Sequence, residues 1–210
     1  MRSVLAASGV LLAASFAVSA ATIPCGTGGL NDSGPINIQT GILAVPGFAC
    51  EQQDKIYSGF NLISGDISGV SVEMFFQPIG SQDNHTVQFS GNLGLAFVLE
   101  YDITVDLAIS PNNRLKLVGV DINASASGGN PTITKSSPNF ATIVASKNTG
   151  SAVTTIPDLV TVHVIDSYNP NGGAATSLSN SFVESAPEPA TMLLLGSAFV
   201  LLGVKRWRKQ

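Results

Sequence analysis

Residues 96–110, AFVLEYDITVDLAIS, decide the fold class. Phe97, Leu99, Tyr101, Ile103, Val105, Leu107 and Ile109 fall on one face at a spacing of two, while Glu100, Asp102, Thr104, Asp106 and Ser110 fall on the other. That alternation predicts a long half-buried strand, or two strands meeting at a bend, with one face on a core and the other in water. A helical period of 3.6 residues does not fit it. None is sustained anywhere within residues 21–186, and no repeat of fixed length recurs.

Shorter versions of the pattern flank this stretch. Ile56, Phe60 and Leu62 alternate with polar or small residues, and Val70, Val72, Met74 and Phe76 form a second apolar row. Val87 and Phe89 follow His85. Residues 115–122 and 132–133 are strand-like with poorer patterning. Val160, Val162 and Val164 mark a late strand, and residues 178–183 a last one. Between them lie turn formers: Ser81-Gln82-Asp83-Asn84, Ser110-Pro111-Asn112-Asn113, Ser127-Gly128-Gly129-Asn130-Pro131 and Asn169-Pro170-Asn171-Gly172-Gly173. Strands punctuated this regularly predict a mainly β domain, an antiparallel β-sandwich of jelly-roll or immunoglobulin-like type.

Of the 210 residues, 44% are hydrophobic and only 11% are charged, against roughly 25% charged in an ordinary soluble protein. The apolar content is too high for intrinsic disorder. Residues 21–186 hold five basic residues against thirteen acidic ones. Such a surface repels phosphate backbones, so nucleic acid is not an expected partner.

The two ends carry targeting signals. Arg2, an apolar run over residues 4–18, and small Val18 and Ala20 before a cut after Ala20 form a secretory signal peptide, residues 1–20. A retained helix is the alternative, but the run falls short of the roughly 20 residues that a span needs. Export makes a disulfide between Cys25 and Cys50, the two cysteines of the chain, chemically permitted. It would close a turn-rich loop, stabilising by roughly 3 kcal/mol through loop entropy. Two cysteines so far apart, with His85 and His163 elsewhere, lack metal-ligand spacing, and no cofactor is implied.

At the other end, Pro187-Glu188-Pro189 precedes fifteen uncharged residues, 190–204, and then Lys205, Arg206, Trp207, Arg208 and Lys209. The prolines fix an extended entry. A helix over 190–204 spans about 22 Å, short of a roughly 30 Å hydrocarbon core. Local thinning, snorkelling of Lys205 and Arg206, and Trp207 at the interface make up the difference. The basic cluster is a stop-transfer signal that keeps this end cytoplasmic. The plan is thus a signal peptide (1–20), a β domain (21–184) and a tail (185–210).

This tail closely resembles the PEP-CTERM sorting tail of exported bacterial proteins. The resemblance implies recognition of Pro187, Glu188 and Pro189 by an exosortase, a membrane-embedded transpeptidase-like protease, with residues 190–204 in the membrane meanwhile. It also implies hosts that make extracellular polysaccharide, a candidate partner, and a final place at the cell surface or outside the cell. Cys50 followed by Asp54-Lys55-Ile56-Tyr57, and Asp83-Asn84-His85-Thr86-Val87, resemble segments of uncharacterised β-rich PEP-CTERM proteins, which implies a shared fold and no activity. A structural or adhesive role follows, with a secreted polysaccharide-modifying enzyme or a lectin-like module as alternatives.

The central domain displays little chemistry. Glu100, Asp102 and Asp106 share the outer strand face, successive members about 7 and 14 Å apart at strand rise. They read as a solvated face that discourages edge pairing, or alternatively as a calcium or sugar site. His85 and His163 read as strand residues with local hydrogen bonds. Residues 65–69, GDISG, have the wrong spacing for a nucleophile elbow. Asn31, Asn84 and Asn123 open glycosylation triplets that matter only in a host performing that chemistry. The expectation is no catalytic residue and no cleft with paired catalytic groups. Either histidine beside two carboxylates in a pocket would overturn it.

Overall fold

The computed structural model describes residues 22–29, 31–79, 82–124 and 128–185. The predicted signal helix, the membrane helix over 190–204, the Pro187-Glu188-Pro189 tripeptide and the terminal basic cluster lie outside the described residues. Among the described residues no helix is long and apolar enough to cross a membrane.

Those residues form short β1 (Ile23–Pro24) and β2 (Ile36–Asn37), then β3 (Ala49–Gln52), β4 (Lys55–Gly65), β5 (Val70–Ile79), β6 (Gln82–Gly91) and β7 (Phe97–Val105). After these come β8 (Arg114–Ala124), β9 (Thr132–Ser137), β10 (Phe140–Ser146), β11 (Ala152–Leu159), β12 (Thr161–Asn169) and β13 (Ala175–Ser185). One π-helical turn, Ile38–Ile42, interrupts them. The strands build a seven-stranded sheet in the order β1-β3-β4-β7-β12-β9-β10 and a six-stranded sheet in the order β11-β8-β13-β6-β5-β2. Every pairing is antiparallel except β1 with β3. The protein is a mainly β, two-sheet sandwich.

Strand β7 lies between β4 and β12, and its alternation does what the sequence predicts. Phe97, Leu99, Tyr101, Ile103 and Val105 are all buried. The strand is shorter than the pattern, however. After Val105 the Asp106 carboxylate accepts from Ala108 N at 2.8 Å, and the Asp106 carbonyl accepts from Ile109 N and Ser110 N. This aspartate-led turn ends the strand and leaves Leu107 and Ile109 exposed. Asp106 therefore does not share a sheet face with Glu100 and Asp102.

Two bulges explain the weaker patterns. In β4 the register against β7 shifts between Ser58 and Asn61, around Gly59 at φ 67°. A Cβ there would stand 2.7 Å from an Asp102 carboxylate oxygen, so glycine suits both the backbone and the space. The extra residue switches the inward row from Lys55 and Tyr57 to Phe60 and Leu62, and Ile56 is not in the inward row. In β8 the register shift opposite Val183 and Glu184 likewise moves the buried row from Leu115 to Val118, Val120 and Ile122. The expected turn at residues 81–84 is strand from Gln82 onward, paired along β5.

Strands β10 and β11 escape sequence detection because each closes a sheet edge, where no face is fully covered. β11 carries Pro157 in its sequence, tolerated at an edge and not in a central strand. Between the sheets, Tyr101 stacks on Phe60 at 5.4 Å and meets Phe89 and Phe182 edge-on. Each such fully buried side chain contributes about 1.5 to 3 kcal/mol.

The N-terminal strand has only two residues of ladder. It is tied down by the Cys25–Cys50 disulfide, with Cα atoms 4.8 Å apart, and by Cys25 N donating to the Glu51 carbonyl. Replacing both cysteines by serine should lower stability by about 3 kcal/mol. Urea unfolding under oxidising conditions checks this, and reductant should shift the parent protein's midpoint and leave the variant's unchanged.

Candidate functional site

Among the described residues, three clusters of charged side chains stand out, and in each the strand period sets the direction. The first is a buried ionic cluster joining the two sheets. Lys55, at the start of β4 and in phase with Tyr57, points inward and is fully buried. Its Nζ lies 2.6 Å from Asp54 Oδ1 and 2.7 Å from Glu184 Oε1. Glu184 comes from β13, in phase with Asn180 and Phe182, and is also fully buried. His85, from β6 and in phase with Val87 and Phe89, places Nε2 3.1 Å from the same Glu184 oxygen and 3.4 Å from Asp54 Oδ1. Asn113 Nδ2 donates to Asp54 Oδ2 at 3.3 Å.

Burial by itself would raise the Asp54 pKa, but the Lys55 ammonium, hydrogen bonds from Lys55 and Ser110, and His85 together hold it below its ordinary value. Tyr57 is pushed far up by burial and by the Asp54 and Glu184 charges, so it stays a neutral phenol. Ligand atoms of Asp54, His85 and Glu184 lie within 4.8 Å of one another, a convergence that cysteine and histidine spacing did not reveal. The Lys55 ammonium is the cation that both carboxylates contact.

The second cluster lies on the outer face of the seven-stranded sheet. Asp102 faces His163 across the β7–β12 ladder, and Asp102 Oδ1 stands 2.8 Å from His163 Nδ1. His163 Nε2 is 3.6 Å from Glu100 Oε2, and Asn61 Nδ2 donates to Glu100 Oε1 at 2.7 Å. The third, Lys135 with Asp166 and Asn180, lies inside the sandwich, where Asp166 meets Lys135 at 2.9 Å and Asn180 at 2.7 Å.

Each histidine thus sits beside two carboxylates, where sequence alone suggested only local hydrogen bonds. His85 is completely buried, and His163 stands on an open sheet face. Of the surface concavities, one is lined by Phe75, Phe76, Gln77, Thr86 and Gln88, and others by residues around Pro24 and Glu51. None of these three includes either histidine. The sequence reading singled out Glu100, Asp102, His85 and His163 but missed Asp54, Lys55, Lys135, Asp166, Asn180 and Glu184.

Fold and polar clusters together define a disulfide-tied, two-sheet β-sandwich with charge locked inside it. Its tail is a PEP-CTERM protein-sorting motif, whose family model matches residues 185–209, beginning at the last residue of β13. No curated protein matches the chain. Among solved structures, a family 11 carbohydrate-binding module from Clostridium thermocellum, in complex with a mixed-linked β-1,3-1,4 tetrasaccharide, aligns at 8% identity and TM-score 0.27. That alignment covers 60% of this chain and 87% of the module. TmCBM61 in complex with β-1,4-galactotriose aligns at 15% identity and TM-score 0.29, covering 59% of this chain and 86% of that one. At that level neither fold nor ligand transfers from those modules to this chain.

The lowered Asp54 pKa has a definite sign. A carboxylate more acidic in the folded state contributes stability that is present above its unfolded value, about 3.9. The contribution is lost as the pH falls through the folded value. The stability difference between the parent protein and Asp54→Asn should therefore be full at neutral pH and shrink on acidification below about pH 4. Urea midpoints of both proteins from neutral to acid pH check this, and parallel curves would exclude the Asp54 charge as the cause.

Proposed function

We propose that this chain is an exported bacterial surface or extracellular-matrix protein of structural or adhesive type, delivered by its leader and sorted by exosortase through its tail. The observation that carries the reading is the sorting motif at residues 185–209. It matches in sequence a tail whose three parts, tripeptide, apolar stretch and basic terminus, make physical sense together. The leader at the opposite end supplies the export step that such sorting needs. The Cys25–Cys50 bond fits an oxidising destination. On this reading the chain passes through a transient inner-membrane stage, held by residues 190–204, before release to the surface or matrix.

The role proposed for the sandwich is non-catalytic, with extracellular polysaccharide as a candidate contact. Of the two finer sandwich types, repeated crossing of consecutive strands between the sheets favours the jelly roll. A lectin-like contact has one observation in its favour, the Asn61, Glu100, His163 and Asp102 row on an open face, whose groups can pair with sugar hydroxyls. Against it, the large exposed apolar side chains among the described residues are aliphatic, such as Ile63, Val144 and Val153. They offer no aromatic platform for sugar rings. The structural reading is the stronger.

The full chain expressed with and without an exosortase in an exporting host tests the proposal. With the enzyme, mass spectrometry of the mature protein should show the C-terminus lost near Pro187-Glu188-Pro189. Without it, the tail should remain and the protein should stay in the membrane fraction. Trimming near Glu188 in the absence of the enzyme, or a tail retained in its presence, would contradict the assignment.

A further inference from the structure

The second buried lysine keeps different company from the first. Lys135 lies on β9 directly across the ladder from Asp166 on β12, and its Nζ is 2.9 Å from Asp166 Oδ1. The other oxygen of that carboxylate, Oδ2, accepts from Asn180 Nδ2 at 2.7 Å, and Asn180 belongs to β13 in the opposite sheet. One carboxylate therefore holds an amine on one oxygen and a carboxamide on the other. Lys135, Asp166, Asn180 and Tyr101 are all 0% exposed. Lys135 Nζ also sits 5.2 Å from the Phe182 ring centroid, 5.7 Å from that of Tyr101, and 3.5 Å from the Tyr101 hydroxyl. Asn180 Oδ1 has no hydrogen-bond partner among the described residues.

Lys55 makes a useful contrast. Its neighbours are two carboxylates and an imidazole, which offer an amine no acyl group with a nitrogen leaving group. Lys135 has one. The Asn180 amide carbon is held to the same carboxylate as the amine, in a site closed to water, and is therefore sheltered from hydrolysis.

We propose that Lys135 and Asn180 become joined by an intramolecular isopeptide bond inside the folded sandwich, with Asp166 carrying the protons. Proton transfer along the Nζ–Oδ1 hydrogen bond gives a neutral amine and a neutral carboxylic acid. The amine lone pair adds to Asn180 Cγ, forming the new C–N bond, and the electron pair of the carbonyl moves onto Asn180 Oδ1. Asp166 passes one proton to Nδ2, the Cγ–Nδ2 bond breaks, and the second proton shed by Nζ leaves with the ammonia as ammonium. Asp166 ends ionised, as it began. The balance is one ammonium plus one carboxamide giving one secondary amide plus one ammonium ion, with no oxidant, reductant or other reactant.

The surroundings favour each stage. Desolvation pulls the Lys135 pKa down against the opposing pull of Asp166, which favours the nucleophilic amine. Holding both reactants on one carboxylate replaces a bimolecular encounter with an oriented intramolecular one. The product ties β9 of one sheet to β13 of the other.

A proteolytic peptide map of the purified full-length chain, read by tandem mass spectrometry, tests this. Peptides containing Lys135 and Asn180 should appear as one branched species, lighter than their sum by ammonia, about 17 Da. Separate, unmodified peptides from folded protein would overturn the proposal. A link from Lys135 to Asp166 with loss of water, about 18 Da, would also overturn it. Asp166→Asn should lose the branched species while retaining the Cys25–Cys50 bond and the strand signature in circular dichroism. Persistence of the link in that variant would remove Asp166 from the mechanism, and the map of the parent protein decides the bond itself even if the variant does not fold.

Discussion

Two ammonium groups, those of Lys55 and Lys135, are completely removed from water between the sheets, and the sandwich closes only where carboxylates meet them. Dehydrating an ion costs several kcal/mol even after relaxation, and a buried pair recovers this only with close geometry and further hydrogen bonds. Both clusters span the two sheets. Lys55 on β4 reaches Glu184 on β13, and the Lys135–Asp166 pair across β9 and β12 reaches Asn180 on the same β13. A shift of β13 by one residue would turn Asn180 and Glu184 outward, taking from Lys55 one of its two carboxylates and from Asp166 its carboxamide donor. The ions therefore specify the alignment of the sheets, while the aromatic packing around Tyr101 and the aliphatic side chains buried with it supply the apolar core.

This places β13 at the hinge between fold and fate. It is an interior strand of the six-stranded sheet, bonded on both sides to β6 and β8, and the sorting motif begins at its last residue. In sequence, Glu184 stands only three positions before Pro187. A protease acting at the tripeptide would work within a few residues of the strand that locks both clusters. Cutting there would leave the ionic cluster and every β13 pairing within the retained part of the chain.

How much of this could be read from sequence depends on which quantity was needed. Period two gives the face of a strand, and it correctly placed Phe97 to Val105, the Val70, Val72 and Met74 row, and the Glu100 and Asp102 face. The same period runs through the buried charges, although the sequence reading drew no inward position for them. Lys135 follows Ile133 by two, Asp166 sits between Val164 and Tyr168, Glu184 follows Phe182, and His85 precedes Val87. What period cannot give is a partner, because Lys55 and Glu184 are 129 residues apart and meet only through the sheet order. Bulges hid the rest. One extra residue at Gly59 carries the inward row from Tyr57 to Phe60, and another near Lys116 blurs β8. The edge strands β10 and β11 are covered only in part, with Ala145 and Ile156 buried but Val144 and Val153 exposed, so their sequences carry no clean alternation to find.

The claim that buried charge fixes the alignment of the sheets is tested most directly by a double-mutant cycle between Lys55 and Glu184, using Lys55→Met, Glu184→Leu and the double variant under urea denaturation. Each single change takes from a buried charge its closest interstrand partner, leaving Lys55 with Asp54 alone or Glu184 with His85 alone, and should cost up to about 3 to 5 kcal/mol. The double change should cost far less than the two together, because neither charge remains to be stranded. Strictly additive losses would mean that the two groups are energetically independent, and would contradict the account.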